Sequence, residues 1–191
     1  MRRIILLVFG FVCIVKIAIG ERPYFQQHVD YKISVTLDDK SNFLTGFEEM
    51  IYRNNSQDTL RELFFHLWPN AYKDRNTALC KQLVSQGNMN LYFASDEQRG
   101  FIDSLEFKVD DKGVTVVYDS INIDICKIVL NKPLLPNGTV IITTPFRVKI
   151  PDAKFSRLGH VGQSYMISQW YPKPAVYDRD GWHAMPYLSI G

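Results

Sequence analysis

The chain is poor in the residues that most often carry catalysis or metal binding. It has three cysteines and four histidines in 191 residues. No two histidines lie three to five positions apart, so a helical zinc site of the His-Glu-x-x-His type is absent from the sequence. A Gly-x-Ser-x-Gly nucleophile motif and a glycine-rich phosphate loop are missing too. The sequence therefore does not support independent catalysis, and we expect no metal site or cofactor within it.

A large excess of charge of either sign is also missing. The chain has 22 basic and 20 acidic residues. Setting aside the first 20 residues removes Arg2, Arg3 and Lys16, which leaves 19 basic residues against 20 acidic ones. A net charge of −1 gives no reason to expect nucleic acid or an anionic membrane as a partner.

One long apolar run is present, at the N-terminus. Two arginines precede it, Lys16 interrupts it, and the small residues Ala18 and Gly20 occupy the positions expected before a cleavage site. We therefore predict that residues 1–20 are a signal peptide that exports a mature chain, 21–191, to the periplasm, the cell surface or the exterior. An uncleaved anchor is the alternative. The run is short for a span of about 20 residues and carries a lysine, so no stable membrane anchor is expected.

Two cysteines, Cys80 and Cys126, remain in the mature chain. In an exported protein they could form a disulfide. Their separation in sequence says nothing about their distance in space, however, and small buried thiols without a bond are the more frequent outcome. The favoured prediction is therefore two free, buried cysteines.

Apolar and polar residues alternate through much of the mature chain, which is typical of strands with one solvated face. The segments that predict strands are Tyr31–Asp38, Phe43–Arg53 (with Gly46 interpreted as a bulge), Leu60–Trp68, Phe101–Val109, Val114–Tyr118 and Thr139–Ile150. An Asp-Asp-Lys-Gly turn lies between Phe101–Val109 and Val114–Tyr118 and predicts that they form a hairpin. In Leu60–Trp68 the alternation places His66 on the outer, solvated face.

The segment Asn76–Gly87 departs from this alternation. Leu79 and Leu83 lie four positions apart, as do Cys80 and Val84, which predicts a short helix that ends at Gly87. Short strands separated by turns, with one helix, predict an all-β fold. We expect a single domain, an antiparallel β-sandwich with one short helical insertion.

The candidate site residues lie in Ser168-Gln-Trp-Tyr-Pro-Lys173. The sequence places Gln169 in an apolar strand, and a buried glutamine needs partners for its carbonyl and its amide. It could face solvent instead. The alternative is a recognition group, in which the Gln169 carbonyl accepts from a cationic amine while Trp170 and Tyr171 line the site. Asp178 and Asp180 are interpreted as turn formers.

The order of these elements resembles the N-terminal domain of the aminopeptidase N family of zinc metallopeptidases, in particular its exported bacterial members. The likeness covers essentially the whole mature chain. The segments that carry it are Tyr31–Asp38, Phe47–Asn55, Leu60–Tyr72, Pro133–Gly138 and Ser168–Asp178.

The resemblance implies a saddle-like β-sandwich that packs on a catalytic domain and forms one wall of the substrate cleft. Gln169 matches a glutamine that lines the pocket for the first substrate side chain. Tyr171 stands where relatives more often carry Glu or Gln to hold the substrate's free amine, so this chain lacks a charge there. The zinc and its ligands belong to a catalytic domain, which would follow Gly191. This chain alone is then expected to be inactive, with that domain and the N-terminus of a peptide as its partners.

A second interpretation is a self-sufficient exported module that binds carbohydrate or protein. Trp68, Trp170 and Trp182, with Tyr171 and Tyr187, would then form a stacking platform. An aminopeptidase reading is favoured if a coding sequence for His-Glu-x-x-His follows Gly191.

Overall fold

The computed structural model describes residues 24–190. Residues 1–20, predicted to be a signal peptide, lie outside the described residues. The helical elements are a 3-10 turn, Trp68–Tyr72, and one α-helix, α1, Ala78–Ser85. The strands are β1 His28–Asp38, β2 Phe43–Arg53, β3 Leu60–His66, β4 Phe101–Asp103, β5 Lys108–Val109, β6 Lys112–Gly113, β7 Thr115–Tyr118, β8 Ile125–Leu134, β9 Thr139–Lys149, β10 Leu158–Val161, β11 Ser164–Ile167, β12 Lys173–Pro174, β13 Val176–Asp178 and β14 Gly181–His183.

The strands form two main open sheets with antiparallel ladders. The larger sheet has the order β1-β2-β9-β5-β6, with β4 also paired to β9, and the smaller one has the order β12-β3-β8-β7. Two hairpins, β10–β11 and β13–β14, complete the fold. This confirms the predicted all-β class, an antiparallel sandwich with one short helix.

The core lies between the two main sheets because alternate residues of the long strands point inward. In β9 the buried residues are every second one, from Val140 to Val148. The smaller sheet contributes Leu63, Phe65 and Ile128, which are fully buried. The rings of Phe65 and Phe107 lie 4.8 Å apart, so the layers meet in aromatic as well as aliphatic contact.

The helix begins and ends as the sequence predicts. The Thr77 side chain accepts from the backbone N–H of Cys80 at its start, and Gly87 adopts a φ of 81° just beyond its end. Cys80 and Cys126 are buried and free, as favoured from the sequence. Within residues 24–190, no helix is long and apolar enough to cross a bilayer.

Gly46 is not a bulge, contrary to the sequence interpretation. The β1–β2 ladder is in register without a break, and Val35 lies opposite Gly46. The Phe146 ring occupies the space that a side chain at position 46 would need: an added Cβ would lie 2.9 Å from its Cε2 atom. The glycine is therefore explained by the close approach of an aromatic ring.

The predicted hairpin of Phe101–Val109 with Val114–Tyr118 is also wrong in part. The first segment is broken at Ser104, whose φ is 59°, and β5 pairs only with the short β6 and with β9. The chain then changes sheets, so that β7 pairs with β8. Alternation in sequence indicated the strands but not the sheet to which each belongs.

Candidate functional site

The structure places Gln169 outside the strands, which corrects the sequence prediction. Strand β11 ends at Ile167, and Gln169 has a φ of 57°. A left-handed backbone is uncommon for a residue other than Gly, Asn or Asp, and it is maintained only where the surrounding structure enforces it. A strained conformation at a predicted recognition residue is the kind of feature from which a function can be inferred.

The Gln169 side chain binds a cation of its own chain. Its carbonyl oxygen accepts a hydrogen bond from the ammonium group of Lys173. The same ammonium lies 3.8 Å from the centroid of the Trp68 ring, within the range of a cation–π interaction. Burial lowers the pKa of Lys173. Gln169 and Trp68 thus form a site that holds a primary ammonium group.

His66 packs against Trp68 beside this site and is buried, whereas the sequence predicted a surface residue. It is 6% exposed, and its ring lies 4.6 Å from that of Trp68. Burial, together with the nearby charge of Lys173, lowers the pKa of His66 to about 4. The imidazole is therefore neutral near pH 7, and a second positive charge beside the ammonium is avoided. The prediction failed because β3 ends at His66, where the 3-10 turn covers its outer face.

Trp170 and Tyr171 lie against the larger sheet. The Trp170 ring is 5.8 Å from that of Phe146 on β9. The Tyr171 ring is 5.6 Å from that of Tyr31 on β1 and edge-on to it. The three residues of segment 169–171 therefore bridge the sandwich: Gln169 contacts a lysine of the smaller sheet, and the two aromatic residues contact the larger sheet.

One titratable residue beside this segment escaped the sequence analysis. Glu48 on β2 is 0% exposed, and no described group hydrogen-bonds to either of its carboxylate oxygens. Burial raises its pKa to about 8. A signal was present in the sequence, because Glu48 occupies an inward position of the alternation that contains Leu44, Met50 and Tyr52.

Tyr31 was likewise missed as a site residue, because the sequence shows it only as an apolar position of a strand. It is 40% exposed although it points to the inner face, since β1 is an edge strand that the smaller sheet does not cover over its whole length. Burial, with Tyr171 and Glu48 nearby, raises the pKa of Tyr31 well above its usual range.

Asp178 and Asp180 form a turn, as predicted. The backbone N–H of Asp180 donates to Asp178, and His183 lies 2.8 Å from the same carboxylate, across the β13–β14 hairpin. Both aspartates are accounted for by the β13–β14 hairpin.

A separate cavity of about 260 Å³ lies beside the site residues without including them. Its walls include Tyr52, Pro174 and Tyr177. Gln169, Trp170 and Tyr171 are half-buried, so they present their groups at a surface rather than inside an enclosed cavity.

The described residues offer no metal centre. Among residues 24–190, no three or more His, Cys, Asp and Glu side chains are grouped so that they could hold an ion. The zinc that the family resemblance implies is expected in the catalytic domain, not among these residues.

A scan against protein-family models finds no matching family. A search of curated proteins finds no matching sequence.

Proposed function

We propose that the chain is the exported, non-catalytic N-terminal domain of a zinc-dependent aminopeptidase and forms the wall of a cleft that receives the leading end of a peptide. The observation that carries this proposal is the ammonium site formed by Gln169 and Trp68. A peptide N-terminus is itself a primary ammonium group. The amide carbonyl has a second lone pair, so it can accept from a second donor.

The position of segment 169–171 supports the same conclusion. It lies half-buried between the two sheets, where a second body packed on the sandwich would turn a surface into a cleft. The catalytic domain of the same parent chain is the proposed second body. That domain would contain the zinc, and its contribution would be to polarise the scissile carbonyl and activate water. The residues described here would bind and orient the substrate.

The proposal can be tested on the purified chain with trialanine and N-acetyl-trialanine, whose binding is followed by NMR. The free peptide is expected to bind about tenfold more tightly, since charged hydrogen bonds are the strong ones. Gln169→Ala should reduce the difference, and Gln163→Ala, a change at an exposed glutamine, should not. Equal binding of the two peptides would contradict the proposal.

The non-catalytic part of the proposal has its own test. Aminoacyl chromogenic substrates should not be turned over by the purified chain, with or without zinc. Hydrolysis that depends on added metal would show a complete active site and overturn this assignment. A coding sequence for His-Glu-x-x-His after Gly191 would support the parent enzyme.

The tryptophan positions favour the cleft over a stacking platform for carbohydrate. Ring contacts join Trp68 to Tyr187, Trp170 to Tyr171 and Trp182 to Tyr177. The three tryptophans thus have different aromatic partners and all pack partly against the core. Glycan binding without discrimination between free and acetylated peptides would favour the stand-alone module instead.

A further inference from the structure

The strand register places Glu48 in the row between the residues that contact Trp170 and Tyr171. Its cross-strand neighbours are Ile33 on β1 and Thr144 on β9, and directly opposed residues share one face of a sheet. The carboxyl group therefore points to the inner face of the larger sheet, between two rows of residues that contact segment 169–171.

The row on one side of Glu48 contains Phe146, which lies opposite Gly46 and packs against Trp170. The row on the other side contains Tyr31, which lies opposite Met50 and packs against Tyr171. The rings of Trp170 and Tyr171 are themselves 5.2 Å apart. The two aromatic residues thus span the row that holds Glu48.

The local groups do not explain the burial of this carboxyl group. A buried polar group without a hydrogen-bond partner is destabilising, and most buried polar groups in native proteins have one. The nearest threonine is already engaged: the Thr144 hydroxyl accepts from the backbone N–H of Glu106 and donates to the Pro145 carbonyl. The ionisable groups that face the site are Tyr31 on β1 and Tyr171, neither of which supplies a positive charge.

We propose that Glu48, beside the rings of Tyr31, Trp170 and Tyr171, binds a primary ammonium group. The carboxylate pairs with the cation, and the ring faces surround its alkyl stem and its remaining charge. Glu48 thereby provides the negative charge that the sequence lacks at position 171.

The site is distinct from the one that holds Lys173. The Gln169 carbonyl already accepts from that lysine, whereas both oxygens of Glu48 are without a protein partner among the described residues. Identification of the ligand as a peptide N-terminus rests on the proposed function. Binding of an alkylammonium ion does not depend on it.

The probe is n-butylammonium chloride, titrated into the purified full chain and followed by NMR at pH 8, with n-butanol as the uncharged control. Glu48→Gln is expected to weaken binding about tenfold. Glu49→Gln is the matched control: it removes the next carboxylate of β2, which faces the opposite side of the sheet, and should leave binding unchanged. The fold of each variant is checked by near-UV circular dichroism.

Binding should also release a proton, because Glu48 must ionise to pair with the cation. Its pKa of about 8 predicts that affinity rises about tenfold per pH unit well below pH 8 and levels off above pH 8, while butylamine stays protonated. Equal affinity for Glu48→Gln and Glu49→Gln, or for butylammonium and butanol, would overturn the site. If butylammonium binds through Glu48 but free and acetylated peptides bind equally, the site stands and the proposed function fails.

Discussion

At the scale of single residues, Gln169 combines an unusual backbone with an ammonium contact. Six non-glycine residues between 24 and 190 have a positive φ. Four of them are Asn or Asp in turns, while Gln169 has a longer side chain held by Lys173. The side-chain contact and the neighbouring ring packing maintain the strained backbone. The sequence could indicate the amide but not its backbone, since the strand pattern of Tyr165 to Trp170 continues through it.

The strain at Gln169 predicts that a glycine variant is more stable than an alanine variant, the reverse of the usual order. Both changes remove the contact with Lys173, but only glycine relieves the left-handed backbone, so Gln169→Gly should be more stable than Gln169→Ala by about 1 kcal/mol. Urea unfolding measures the difference. At exposed Arg179, which has no positive φ, alanine should be at least as stable as glycine. The same order at both positions would show that Gln169 is not strained.

At the scale of elements, the contact of β2 with β9 positions the aromatic part of the site. Gly46 leaves room for the Phe146 ring, and that ring supports Trp170. The strand bounds of β2 could be read from the sequence, since alternation alone defines Phe43–Arg53. The reason for its glycine could not, because it depends on a ring about 100 positions away in the chain.

Gly46→Ala should destabilise the protein by about 1–3 kcal/mol, as over-packing of a core does. It should also weaken butylammonium binding, because the Phe146 ring must move from beneath Trp170. Gly113→Ala is the control, since an added Cβ there meets nothing within 4 Å. Urea unfolding and the same NMR titration check both effects. Equal stability of the two variants would contradict the proposed packing.

The long strands and the helix could be predicted from the sequence. The pairing of the strands and the buried ionisable residues could not. Alternation indicates which residues share a face, but His66 and Glu48 are polar residues at buried positions, where the pattern alone assigns solvent or apolar neighbours. Glu48 lies in the row that Trp170 and Tyr171 span, and His66 packs against Trp68.

At the scale of the whole molecule, Glu48 and His66 make the stability depend on pH in opposite ways. The pKa of Glu48 rises from 4.5 in the unfolded chain to about 8 in the folded one, so its contribution to stability is lost as pH rises through this window. The pKa of His66 falls from 6.5 to about 4, so its effect is to lower stability as pH falls below 6.5. Between pH 4.5 and 6.5 the two contributions oppose each other.

Above pH 6.5 the contribution of His66 no longer offsets that of Glu48. The free energy of unfolding should fall by about 1.4 kcal/mol per pH unit from pH 6.5 to pH 8. Glu48→Gln should abolish most of this decline and be more stable than the wild type at pH 8, while Glu49→Gln should keep it. Urea unfolding at half-unit pH intervals provides the measurement. If the free energy of unfolding of Glu48→Gln fell by the same amount, the pH dependence would come from other groups.

The most direct test is a thermodynamic cycle that combines one change in the protein with one change in the ligand. Trialanine and N-acetyl-trialanine are titrated into the wild type and into Glu48→Gln at pH 8, and the four dissociation constants give the coupling between the peptide's ammonium group and the buried carboxylate. We expect a coupling of about tenfold, or roughly 1.4 kcal/mol, in favour of the charged pair. A coupling of zero, with the free peptide losing no more affinity than the acetylated one, would contradict it.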